Sequence, residues 1–72
     1  MEATSWYVES GAMENTGLDR RTRFPTREEA AQALAVLTDA YGPKDRNGRA
    51  PTVEESREPA NSTFAEWNAK GW

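Results

Sequence analysis

Seventy-two residues make one small domain, residues 1–72, and a chain of that size buries only about 60% of its extended surface, so its stability is marginal. The absence of cysteine and histidine excludes a disulfide framework and removes the usual zinc ligands, and no cofactor or metal is expected. Twelve acids against nine bases give a formal charge of −3, which speaks against a general nucleic-acid binder with its basic footprint; with no apolar run near the length of a membrane span or signal-peptide core, the chain reads as soluble and cytoplasmic.

The first segment, Ser5-Trp6-Tyr7-Val8-Glu9-Ser10, gathers β-branched and aromatic residues and predicts a strand. Trp6 and Val8 then share one face, and Tyr7 and Glu9 the other. Residues 11–17 carry a glycine at each end and read as a hairpin loop. A second strand is expected over Leu18–Phe24, with Leu18, Arg20, Thr22 and Phe24 on one face and Asp19, Arg21 and Arg23 on the other. Arg20 on the core side is a conflict that snorkelling of its guanidinium to water would relieve.

The segment FPTREEAAQALAVLTDAYGP, residues 24–43, is one fully punctuated amphipathic helix. Thr26 and Glu29 form a capping box, and Glu28 and Glu29 oppose the positive end of the helix dipole. Ala30, Leu34, Leu37 and Tyr41 make an apolar stripe, widened by Ala33, Val36 and Ala40. Gly42 permits a left-handed cap and Pro43 forbids continuation, which predicts a helix over 27–41.

Residues 44–51, KDRNGRAP, read as a polar loop with an Asn-Gly turn signal. Thr52–Glu58 is expected to pair as a third strand anchored by Val53. A second capping box, Thr63 to Glu66, precedes Phe64 and Trp67 three residues apart, and predicts a short terminal helix ending at Gly71; an extended strand through Phe64 is the alternative. The architecture is therefore α+β: a small antiparallel sheet in β-β-α-β order packed on helix 27–41, with a short C-terminal helix. The expected core is Trp6, Val8, Phe24, Leu34, Leu37, Tyr41, Val53, Phe64 and Trp67.

Catalysis is disfavoured by elimination. Nucleophilic chemistry needs an activated side chain beside a base, and histidine, the commonest base, is absent. The adjacent acids Glu28-Glu29 and Glu54-Glu55 point in different directions on a helix or strand, so they read as solvated charge and capping groups. No phosphate-cradling glycine loop or calcium-loop spacing occurs.

Binding chemistry is better represented. Arg20, Arg21, Arg23 and Arg27 place four guanidinium groups in eight residues, able to grip phosphates or an acidic protein surface in bidentate fashion. Their plainer reading is an edge strand that resists aggregation and pairs with Glu9 across the hairpin. Glu54, Glu55 and Glu58, with Glu66 nearby, form an acidic segment able to imitate a phosphate backbone; its plainer role is solubility. Tyr7 and an exposed Trp72 would be aromatic anchors of the kind enriched at binding hot spots; fold-back packing is the equal alternative for Trp72.

The run WYVESG, followed by a charged segment entering RFPTREEAAQALAVL, resembles the small strand–turn–strand–helix proteins of phages and mobile elements, in which F-x-T-x-E-E-A introduces the helix. The resemblance covers residues 6 to about 41 and assigns no functional residue. Many such proteins inhibit host machinery, the anti-CRISPR proteins among them, and are short, acidic and free of enzymatic motifs. The resemblance implies a stoichiometric inhibitor acting in a bacterial or phage-infected cell on a host nucleoprotein complex. Its contacts would be Glu54, Glu55, Glu58, Tyr7 and Trp72, with Arg20, Arg21 and Arg23 meeting an acidic rim. The alternative is a small nucleic-acid-binding or regulatory protein using Arg20, Arg21, Arg23 and Arg27, and a third reading is a structural homodimer.

Overall fold

The computed structural model describes residues 4–9, 18, 21–42 and 50–70, with Tyr41 described by its backbone alone. Along the chain these form strand β1 (Ser5–Glu9), helix α1 (Arg27–Tyr41), strand β2 (Thr52–Ser56) and helix α2 (Phe64–Ala69). The fold is α+β, with the two strands antiparallel in the register Ser5↔Ser56, Trp6↔Glu55, Tyr7↔Glu54, Val8↔Val53 and Glu9↔Thr52. Helix α1 packs on both strands and on α2.

The expected second strand is the main correction. Among the described residues of that segment, Arg21 and Thr22 lie in a turn and bend, and Phe24 makes an isolated antiparallel bridge to Trp6. Trp6 N–H donates to the Phe24 carbonyl at 2.9 Å, and Phe24 N–H donates to the Trp6 carbonyl at 2.7 Å. The neighbouring backbone is diverted elsewhere: Arg23 N–H donates to Asn61 Oδ1, and the Arg23 carbonyl accepts from the amides of Asn61 and Ser62. Pro25, which follows the bridge, has no amide to offer a ladder. The expected β-β-α-β order is thus β-α-β-α among the described residues. The hairpin loop at 11–17, the polar loop at 44–49, Asp19, Arg20 and the last two residues lie outside them.

Helix α1 begins and ends as its local signals dictate. Glu29 N–H donates to Thr26 Oγ1 at 3.2 Å, and the Thr26 hydroxyl lies 3.5 Å from Glu29 Oε2. The Glu29 carboxylate therefore turns back on the threonine hydroxyl, without reaching the Thr26 amide as a full reciprocal box would. At the other end Gly42 N–H donates to the Thr38 carbonyl at 2.8 Å. Gly42 has φ of 94° and ψ of 171°, a region that glycine alone occupies without strain; the cap is therefore extended in ψ where a left-handed one was expected.

The core runs along the seam between α1 and the sheet: Val8, Leu18, Phe24, Ala30, Ala33, Leu37 and Trp67 are buried. Ala30 and Ala33 are completely covered, so the small face of α1 is what meets the sheet. Leu34, Val36, Trp6, Val53 and Phe64 pack around the rim, half-buried. Relative to the expected core, the helix is rotated toward its alanines, Leu18 is added, and Trp6, Leu34, Val53 and Phe64 move to the margin. Close approach of two alanines lets a narrow core of few large side chains exclude water. α2 closes one end through Trp67, whose ring centroid lies 6.0 Å from that of Phe64. Among the described residues no helix is long and apolar enough to cross a membrane.

Candidate protein interface

The polar clusters separate according to what the fold does with each. Arg23 is drawn inward. Its Nε–H donates to the Pro59 carbonyl at 2.9 Å, its guanidinium lies 3.4 Å from Glu58 Oε2, and its side chain is only 17% exposed. Asn61 completes the clasp, receiving Arg23 N–H at Oδ1 and donating from Nδ2 to the Arg21 carbonyl at 2.6 Å. The segment 58–62 is thereby fastened to 21–23, which delivers Thr63 and α2 to the core. The ion pair of Arg23 is made with Glu58, in place of the Glu9 pairing expected across a hairpin.

Arg27 is the first residue of α1, and its guanidinium carbon lies 5.8 Å from the centre of the Trp6 ring. A cation over an indole face at an accessible site contributes about 0.5–1 kcal/mol. Arg21 is exposed, with its carbonyl in the Asn61 clasp. Arg20 and Trp72 lie outside the described residues. Among the described residues of the cluster, the side chains of Arg23 and Arg27 meet a carbonyl, a carboxylate or an aromatic ring of the chain itself.

The acids behave differently. Directly opposite residues of an antiparallel pair share a face, so Trp6, Val8, Val53 and Glu55 belong to the helix side of the sheet. Ser5, Tyr7, Glu9, Thr52, Glu54 and Ser56 belong to the outer side. There Tyr7, half-buried, stands across from Glu54, and Glu9 occupies the diagonal position beside it. Glu54 is exposed and its carboxylate accepts from Thr52 Oγ1 at 2.8 Å. Glu55 is exposed at the margin of the helix side. Glu58 is 72% exposed at its side chain even while it meets Arg23. Its carbonyl accepts from the hydroxyls of Thr4 and Ser5, which accounts for the full burial of polar Ser5.

The structure thus brings together Tyr7, Glu54 and Glu9 on one sheet face, and Arg23 with Glu58 in a clasp; it sets Glu55 on the face opposite Glu54. Sequence reasoning missed Asn61 and the second task of Glu29, whose Oε1 accepts from Phe64 N–H at 2.9 Å. Asn61 carries a signal in its residue type, since asparagine readily bonds nearby backbone, but its partners at Arg21 and Arg23 are far off in sequence. Comparison with protein-family models, curated proteins and solved structures finds no match for this chain.

Proposed function

We propose that the protein is a non-enzymatic binding module that docks its acidic sheet on a basic surface of a partner protein. In its fullest form the reading is a phage-encoded inhibitor of the anti-CRISPR style, acting stoichiometrically in the bacterial cytoplasm on a complex that handles nucleic acid. The observation that carries it is the contrast between the charge clusters. Glu54, Glu55 and Glu9 stand exposed on the two-stranded ladder, whereas Arg23 is drawn inward onto the Pro59 carbonyl and Glu58 and Arg27, although exposed, lies over the Trp6 ring. Carboxylates alternating across a strand, with an aromatic ring among them, complement a surface built to hold phosphates. The nucleic-acid alternative would require Arg23 to abandon the Pro59 carbonyl and Glu58, which leaves a small basic footprint.

Capture from a nuclease-treated bacterial lysate tests this reading. The tagged protein is expected to retain a basic protein that elutes with rising salt, and to bind neither DNA nor RNA at low salt. Retention of nucleic acid, with no protein surviving nuclease treatment, would overturn it.

A further inference from the structure

Among the described residues the ladder has one open side. Trp6 exchanges both its backbone bonds with Phe24, so by the alternation of an antiparallel pair Ser5, Tyr7 and Glu9 address β2, while Trp6 and Val8 face away from it. The register carries this parity to the partner strand: Thr52, Glu54 and Ser56 turn their N–H and C=O groups toward β1, and Val53 and Glu55 turn theirs outward. Among the described residues β2 has β1 as its sole strand neighbour. Two donors and two acceptors are therefore presented in strand geometry, with Glu54 and Glu55 putting one carboxylate on each face of the edge.

We propose that this edge of β2 is a strand-addition site for an extended basic segment of a partner protein. This rests on the binding-module reading and specifies how the partner is held. A second copy of the chain is a poor occupant in every antiparallel register centred on the strand. Centring on Glu54 or Glu55 sets like charges directly opposite one another, and centring on Ser56 does the same for Glu54 and Glu58 and calls on Pro59 for an amide proton it lacks. Centring on Val53 or Thr52 requires a ladder bond from Pro51, which has no amide proton. A foreign strand meets neither obstacle. Running antiparallel to β2, it would place basic residues opposite Glu55 and Glu54 and an apolar residue opposite Val53, giving the order basic, basic, apolar. Arg57, exposed just beyond the strand, repels a further basic residue and so fixes how far the basic pair extends. Main-chain bonds would provide the affinity and the two carboxylates the selectivity.

The experiment is a titration of the isotope-labelled full chain with the capped peptide Thr-Lys-Lys-Val-Thr, with Thr-Glu-Glu-Val-Thr as control. The amide signals of Val53 and Glu55 are expected to shift and to gain hydrogen-exchange protection with the basic peptide. The acidic peptide is expected to bind about tenfold more weakly, as reversal of two cross-strand charge pairs implies. Val53→Pro removes an outward amide and no bond to β1, a substitution that edge strands accept, and is expected to abolish the response. Four results would overturn the proposal: equal binding of both peptides, shifts mapping away from β2, Val53 and Glu55 amides already protected in the free protein, or concentration-dependent self-pairing through β2. The first, second and third are read on the unmodified chain, so they stand whether or not the proline variant folds. Peptide addition at the edge, together with a captured partner that does not displace the peptide, would refute the acidic-sheet docking reading and leave the strand-addition site intact.

Discussion

Arg23 shows how a residue that looks functional in sequence is claimed by the fold. A charged donor to a carbonyl contributes about 1.5–3 kcal/mol, whereas an ion pair with a largely exposed carboxylate contributes about 0–1 kcal/mol. The Pro59 bond therefore outweighs the Glu58 pair. Arg23→Ala is expected to lower unfolding free energy by about 2 kcal/mol, and Glu58→Gln by less than about 1 kcal/mol. Urea denaturation measures both, and equal losses would assign the stabilisation to the ion pair instead. The sequence revealed four clustered guanidinium groups but not their destinations, because the acceptors for Arg23 lie more than thirty residues downstream and no local pattern encodes them.

At the scale of elements, both helices and the strands Ser5–Glu9 and Thr52–Ser56 were legible, whereas the expected second strand is reduced to the single bridge between Trp6 and Phe24. Both helix starts are written within four residues: Thr26 with Glu29, and Thr63 with Glu66, whose amide donates to Thr63 Oγ1 at 3.1 Å. The stop at Gly42 is equally local. The segment before α1 has strand-like alternation, yet Asn61 and Ser62 take the backbone groups of Arg23, a competition settled only in three dimensions. The phase of α1 was legible, since Ala30, Ala33 and Leu37 of the expected stripe are buried; that the alanines and not Leu34 form its centre is decided only by packing in the core with Val8 and Phe24.

Glu29 couples the two helices. One carboxylate oxygen approaches the Thr26 hydroxyl, and the other accepts the Phe64 amide, so a single side chain serves the N-termini of α1 and α2. Glu29→Ala is expected to cost about 1–3 kcal/mol by leaving the partly buried Phe64 amide unpaired. Glu29→Gln keeps an acceptor and is expected to retain most of that stability. Thermal unfolding monitored by tryptophan fluorescence distinguishes these outcomes; equal losses in the two variants would mean that charge, and not the acceptor, holds the helices.

For the whole molecule, the core and the proposed binding surface occupy different parts of the fold. The apolar supply is gathered beneath α1 and capped by Trp67, Arg23 ties segment 58–62 to the frame, and the acids of β2 stand out on the ladder. The acidic segment was visible in the sequence as Glu54, Glu55 and Glu58; what the sequence did not disclose was that Glu54 and Glu55 straddle an edge strand while Glu58 is tied to Arg23. The most direct measurement of this division compares partner capture by the unmodified protein, by the double variant Glu54→Lys with Glu55→Lys, and by Arg21→Glu, after confirming that each remains folded. The glutamate reversals are expected to abolish capture and Arg21→Glu to preserve it. Capture that survives the glutamate reversals but is lost with Arg21→Glu would contradict the proposed binding surface.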